Sequence, residues 1–347
     1  MSEEVFLSPE NEQSLLLGER IVFVFSSTLN VLALFCLIGE TPASQALIKN
    51  YLLFIQATVI ASDFYFSVLF EPFPVLQLFA GYCVGLLCRA VQPTIVVGIY
   101  ATLIGLMGAS IVLCTIHRHQ TIVMRGRWVL SRVWTKTELL LNNEHFQRSR
   151  SILTWLVCSI YCGPCLLFAV TPFDSAESSR LIEHSSPDLR WIRSRGGHFM
   201  LERTTFTLTI IAAVFALLIL CIVIGVVIFT HLLVVLHREN SKSAKLKRSI
   251  RISLIRFFIQ IDVPILFIVV PFTILVSEIL FNCFSFNVCL VAMAIIPFHP
   301  IVHNLILVLI VPQYRGYLLK PIYACLERKL SKLPVSVRAP DSLLARY

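Results

Sequence analysis

The chain has 347 residues, of which 57% are hydrophobic and 14% charged, with a formal net charge of +9 and a mean hydropathy of +0.81. That balance excludes an ordinary soluble domain, in which about a quarter of the residues are charged. The cationic excess does not imply nucleic acid either, because the basic residues lie at the ends of apolar runs, where anionic lipid is their neighbour.

Seven apolar stretches follow one another: Ile21–Gly39, Asn50–Phe70, Ala90–Ile116, Ser151–Phe173, Thr204–Leu236, Phe257–Ser277 and Ile279–Tyr314. A helix needs about 20 residues to cross a hydrocarbon layer of ~30 Å. Unbroken runs lack the alternation of barrel strands, so the expected fold is all-α, a bundle of seven transmembrane helices. Of the 29 Lys and Arg residues, 22 fall in the first, third and fifth loops and the carboxyl tail. Basic residues mark the cytoplasmic side, which places the amino terminus outside. The expected organisation is an extracellular tail (1–20), a seven-span domain (21–312) and a basic cytoplasmic tail (313–347). The acidic amino-terminal segment has no signal-peptide pattern, so the first span itself would start insertion. The fifth run is long enough, at ~50 Å as a helix, to project beyond the membrane towards the basic segment after it.

Eleven cysteines occur, most of them within the apolar runs as small buried hydrophobes. Cys83, Cys88 and Cys283 fall on the outer side, where a disulfide between the second and sixth loops is open to them; the pairing is not readable from spacing. Cys325, about a dozen residues beyond the last span, is a candidate for palmitoylation.

Asp63, in the second span, bears a carboxylate whose insertion costs ~2.5–3.5 kcal/mol, so it is expected to face the bundle interior. It either holds a cation or ligand or serves as a structural hydrogen-bonded group. Asp262 lies nearer the cytoplasmic edge, where pairing with Arg256 or Arg251 is expected. Pro264 and Pro271 in the sixth run and Pro297 and Pro300 in the seventh are expected helix kinks. His299 and His303, four apart, share one helix face at the spacing of two metal ligands, with Asp63 as an imaginable third. Spans one to four contain no histidine and no hydrolase motif occurs, so interior hydrogen-bonding histidines are the favoured reading, with no metal, no cofactor and no enzyme activity. The last span has no lysine for a retinal Schiff base.

The third run ends in His117-Arg118-His119-Gln120. Arg118 occupies the middle of the position at which seven-helix receptors carry an acid-Arg-aromatic triplet, but here it has histidines on both sides. With Pro74, Ala80-Gly81-Tyr82-Cys83-Val84-Gly85-Leu86, Ile259-Gln260-Ile261-Asp262-Val263-Pro264, Pro271 and Pro312-Gln313-Tyr314-Arg315, the chain resembles the nematode serpentine chemoreceptors of class I or the related class H. The resemblance spans about 240 residues in family order. It implies a G-protein-coupled-receptor fold, a small-molecule ligand, a heterotrimeric G protein at the inner face and a sensory-cilium plasma membrane. It carries over Arg118 and Arg315 at the cytoplasmic ends of the third and seventh helices, and Gln260 and Pro264 in the sixth. Lys245, Lys247, Arg248 and Arg251 join them as G-protein-facing candidates. The loop from Pro172 to Arg203 has no cysteine, so the usual tie to the third helix cannot form and the outer lid is expected to be unanchored. Other seven-helix classes are an insect-type ligand-gated channel, which has the opposite orientation, and a zinc hydrolase built on His299 and His303.

Overall fold

The computed structural model describes residues 6–40, 46–76, 79–128, 144–170, 175–185, 190–195, 197–200, 204–238, 244–312, 314–317 and 320. Cys325, Gln313 and most of the basic tail lie outside them. Seven helices are long and apolar enough to cross a membrane: Pro9–Glu40, Ile48–Phe70, Pro93–Gln120, Ser151–Ala169, Thr205–Val235, Leu254–Phe281 and Phe286–Ile310. They are numbered below as the first to seventh spans. Each satisfies its own backbone polar groups, which lipid cannot do for it.

The helix boundaries differ from the apolar runs for local reasons. The first helix begins at Pro9 rather than Ile21. Ser8 accepts from Asn11 N at 3.2 Å, Pro9 supplies a pre-set φ, and Glu10 and Glu12 lie in the first turn, favoured by the helix dipole. Residues 9–20 are therefore helical. The third helix runs on to Trp128 and the fourth starts at Glu144, so most of the segment read as a 34-residue loop is helical on both sides. The fifth extends over Thr205–Arg238, as its long apolar run implied.

The four expected proline kinks reduce to two breaks. In the sixth span, Pro264 ends one helical segment, a π turn follows over Ile265–Val269, and the helix resumes at Val270. Pro271 follows directly on the π turn, with αR backbone before it, so its missing N–H leaves a carbonyl of that turn without its usual helical partner. In the seventh, the helix stops at Ile295 and restarts at Phe298, so Pro297 marks the break and Pro300 lies in the new first turn. A third irregularity carries no proline: the second span widens into a π turn over Tyr65–Phe70 and ends at Glu71 with a left-handed φ of 41°. Pro164 lies inside the fourth helix without interrupting it.

The core lies mainly between the second, third, sixth and seventh spans. Tyr65, Phe66, Phe70 and Phe272 surround the buried Tyr100 ring at centroid distances of 5.2–6.3 Å. The fifth span is the outlier. Of its most apolar stretch, 6% of residues are fully buried, against 56% for the third, so it packs at the periphery of the bundle.

The departure from helix is at the end assigned to the outside. Strands β1 (Pro72–Val75), β2 (Ala80–Cys83) and β3 (Gly197–Met200) form an antiparallel sheet in the order β1-β2-β3. β3 belongs to the loop between the fourth and fifth spans, together with two short helices over Ser175–Ser185 and Arg190–Arg193. The expectation of an unanchored lid is corrected: backbone pairing with the second loop holds it where a cysteine does not. Gly197 is required at that junction, because a Cβ there would come within 2.5 Å of the Cys88 carbonyl oxygen.

Candidate functional site

Three places concentrate chemistry, and they lie at different depths. At mid-bundle the first, second and seventh spans share a buried polar network. Asn30 is its hub. Its amide nitrogen donates to Asp63 Oδ2 at 3.0 Å, and its carbonyl oxygen accepts from Gln56 Nε2 at 3.0 Å and Asn304 Nδ2 at 2.7 Å. Gln56 also donates to Asn304 Oδ1 at 3.0 Å, and Ser26 Oγ donates to Asp63 Oδ2 at 2.5 Å. Gln56 and Asn304 are 0% exposed. Asp63 thus faces inward as expected, but it is one member of a network, and nothing in the sequence singled out Asn30, Gln56 or Asn304.

His299 and His303 are both buried on one face, with ring centroids 5.6 Å apart. His299 Nε2, His303 Nδ1 and Asp63 Oδ1 have no hydrogen-bond partner among the described residues. No set of three His, Cys, Asp or Glu side chains among the described residues is placed to hold a metal ion. Asp63 and His299 border a cavity of about 20 Å³, also lined by Ser62, Tyr100 and Pro297. One water-sized group fits such a space, and an organic ligand does not.

At the basic end, Arg118 is half-buried beside Cys114 on its own helix and within electrostatic reach of Tyr314 at the end of the seventh. The neighbouring His119 meets His231 of the fifth span, Nε2 to Nδ1 at 2.9 Å, which ties the inner ends of those two helices. Arg248, Arg251 and Arg315 are exposed there. Lys245 and Lys247 belong to the same helical segment, with side chains outside the described set. Asp262 is exposed, but among the described ion pairs there is none to Arg251 or Arg256. It also borders a cavity of about 330 Å³ between the third, fourth, fifth and sixth spans.

At the outer end the sheet is locked by Glu12, from the first helix. Its Oε2 pairs with Arg195 Nη1 at 2.9 Å and accepts from the Tyr82 hydroxyl at 2.9 Å. Arg195 also donates to the Leu7 carbonyl at 3.2 Å and lies 6.0 Å from the Trp191 ring centroid. Tyr82 stacks on Phe73 at 5.0 Å and meets Trp191 edge-on at 5.8 Å. Burial and the Glu12 carboxylate both push its phenol above the usual tyrosine range, so it remains a donor. Ile182 and Ile192 of the lid, both 0% exposed, complete this outer cluster. The outer-face disulfide joins Cys83 to Cys88 within the second loop, and Cys283 stays free and exposed.

Arg195→Met should loosen this cap. It removes a charge-assisted hydrogen bond from a nearly buried carboxylate, a loss of about 2 kcal/mol. Hydrogen exchange at Gly197–Met200 should then accelerate roughly thirty-fold; unchanged exchange would show that strand pairing alone holds the lid.

Seven helices long and apolar enough to cross a membrane, a polar network joining three of them, a basic end and a capped opposite end define a polytopic seven-helix membrane protein. The profile of the serpentine type 7TM GPCR chemoreceptor Srh family matches residues 10–324. The chain belongs to that family. No curated protein matches it.

Proposed function

We propose that the protein is a plasma-membrane chemosensory receptor that binds a small molecule and passes the signal to a heterotrimeric G protein at its basic end. Family membership over residues 10–324 is the observation that carries this reading. The charge partition supports the orientation, since 22 of the 29 Lys and Arg residues lie on one side. On this reading Arg118, Lys245, Lys247, Arg248, Arg251 and Arg315 form the face offered to the G protein. A ligand with different affinity for two arrangements of the bundle shifts their populations, and only that difference drives the change. The breaks at Pro264 and Pro297 are the hinges such a change would use.

Screening volatile and water-soluble compounds in cells expressing the receptor, with a calcium or cyclic-nucleotide readout, identifies an activating compound. Purified receptor with that compound should accelerate nucleotide exchange on a Gα subunit, and Arg118→Ala should slow exchange at least tenfold with compound binding unchanged. A compound that binds but accelerates exchange on no Gα subunit overturns the proposal. A tag at residue 1 that is inaccessible on intact cells overturns the orientation and favours the channel class.

A further inference from the structure

The cavity between the third, fourth, fifth and sixth spans has the size of a ligand site, about 330 Å³, at the lower end of the usual range. Its wall is almost wholly apolar, with Met107, Leu217, Phe229, Phe258, Ile268 and Phe272 prominent. Gly105, Gly108 and Gly225 also line it, and a Cβ on Gly225 would meet nothing within 4 Å. Two polar groups interrupt the wall. One is Tyr161, whose hydroxyl has only the Cys221 thiol beside it. The other is Asp262.

Asp262 lies near the basic end of the sixth span, six residues beyond Arg256; it is exposed and also borders the cavity, where it is the one acidic residue of the wall. A carboxylate within a span favours a partner of opposite charge. The described residues provide no partner, and the facing third, fourth and fifth spans place no charged group on the cavity wall. Ionised Asp accepts hydrogen bonds and donates none. An ammonium head group fits it best, because hydrogen bonds between two charged groups are about twice as strong as neutral ones. A carboxylate head would be repelled, so the same residue selects for one class and against another.

Access and size narrow the class further. The outer end is covered by the β1-β2-β3 sheet and its lid, locked through Glu12 and Arg195. The fifth span, which forms one wall, is exposed or half-buried over most of its apolar stretch, so the cavity lies close to the lipid-facing surface. That position suits a molecule that partitions into lipid. At about 330 Å³ the cavity is at the small end of ligand sites, which suits one short chain better than the two acyl chains of a phospholipid.

We propose that this cavity binds a single-chain amphiphilic amine, with its ammonium on Asp262 and its chain among Met107, Leu217, Phe229 and Phe272. Pro264, Ile265, Ile268 and Val269, the broken part of the sixth span, form one side of the site. An occupant there presses on the segment of that helix with the weakest backbone bonding. This signalling consequence rests on the receptor reading above, whereas the binding itself does not.

The test uses the full-length receptor in phosphatidylcholine nanodiscs, with radiolabelled decylamine and protein-free discs as the partition control. Saturable binding of one decylamine per receptor is expected, with decanol at least tenfold weaker and decanoate failing to compete. Asp262→Asn should weaken decylamine at least tenfold and abolish the preference over decanol. Gly225→Leu, which fills open space and should leave the melting temperature unchanged, should block both. Unchanged affinity in both variants, or equal competition by decanoate, overturns the proposal. Competition by phosphatidylethanolamine added to the discs overturns the single-chain assignment. A receptor that binds no decylamine yet accelerates nucleotide exchange with another compound overturns this site alone and leaves the receptor reading intact.

Discussion

Asn30→Ala should destabilise the bundle by about 2–4 kcal/mol. Three hydrogen bonds disappear at once, and interhelical bonds in membranes are worth ~0.6 kcal/mol each on average, with a ceiling of ~1.7. The loss also leaves Gln56 and Asn304 with fewer partners in a site that admits no bulk water, and buried groups so stranded cost ~1–3 kcal/mol. Thermal unfolding of detergent-purified protein, followed by a thiol-reactive dye, measures it. Thr28→Ala on the same helix is the control, because Thr28 Oγ1 donates only to the Val24 carbonyl of its own helix on the exposed face. If the two variants melt together, the network carries no stability.

The second large effect is steric. Gly98 of the third span packs against the fourth so tightly that a Cβ would lie 2.6 Å from Ala169 Cα and 2.8 Å from its nitrogen. Backbone atoms cannot rotate away as a side chain can, so Gly98→Ala should separate the two helices at a cost of about 3 kcal/mol. Gly98→Leu should abolish folded protein in a size-exclusion assay. Ala169→Gly should restore Gly98→Ala only in part, since the Cα and nitrogen contacts remain. Gly163→Ala in the fourth span, where a Cβ would meet nothing, should instead be neutral or stabilising by ~0.5–1 kcal/mol. Equal behaviour of the two glycines would refute the close-packing account. Small residues at such contacts let membrane helices approach closely.

How much of this was written in the sequence depends on the range of each interaction. The seven spans were legible because lipid imposes one requirement on about 20 consecutive residues. Their ends were less so, although Ser8, Pro9 and Glu10 form a local start signal twelve residues before the apolar run. The outer sheet was not legible at all. Its strands are four residues long, β2 is buried at every position rather than alternately, and Tyr82 pairs with His198 across more than a hundred residues. Asp63 was visible because a carboxylate in a span is costly by itself. Asn30, Gln56 and Asn304 are individually unremarkable polar residues, and their meaning arises only where three helices meet. His299 and His303 share a face as their spacing required, yet a metal site needs a third group from elsewhere in the fold, which no four-residue spacing can supply. Asp262 is a divided case: it is exposed, as a residue near the cytoplasmic edge should be, but closeness to Arg251 and Arg256 along the chain does not bring an ion pair among the described residues.

The cap over the outer end has a property that follows from how it is fastened. Its one disulfide, Cys83 to Cys88, closes a turn within the second loop and ties no part of the lid to any span. The attachment runs instead through main-chain hydrogen bonds and the Glu12–Arg195 contact. Reductants would therefore leave the closure standing, and salt would change it little because the Glu12–Arg195 pair is largely buried, so temperature would set how often it opens. The cap behaves as a reversible latch rather than a covalent seal.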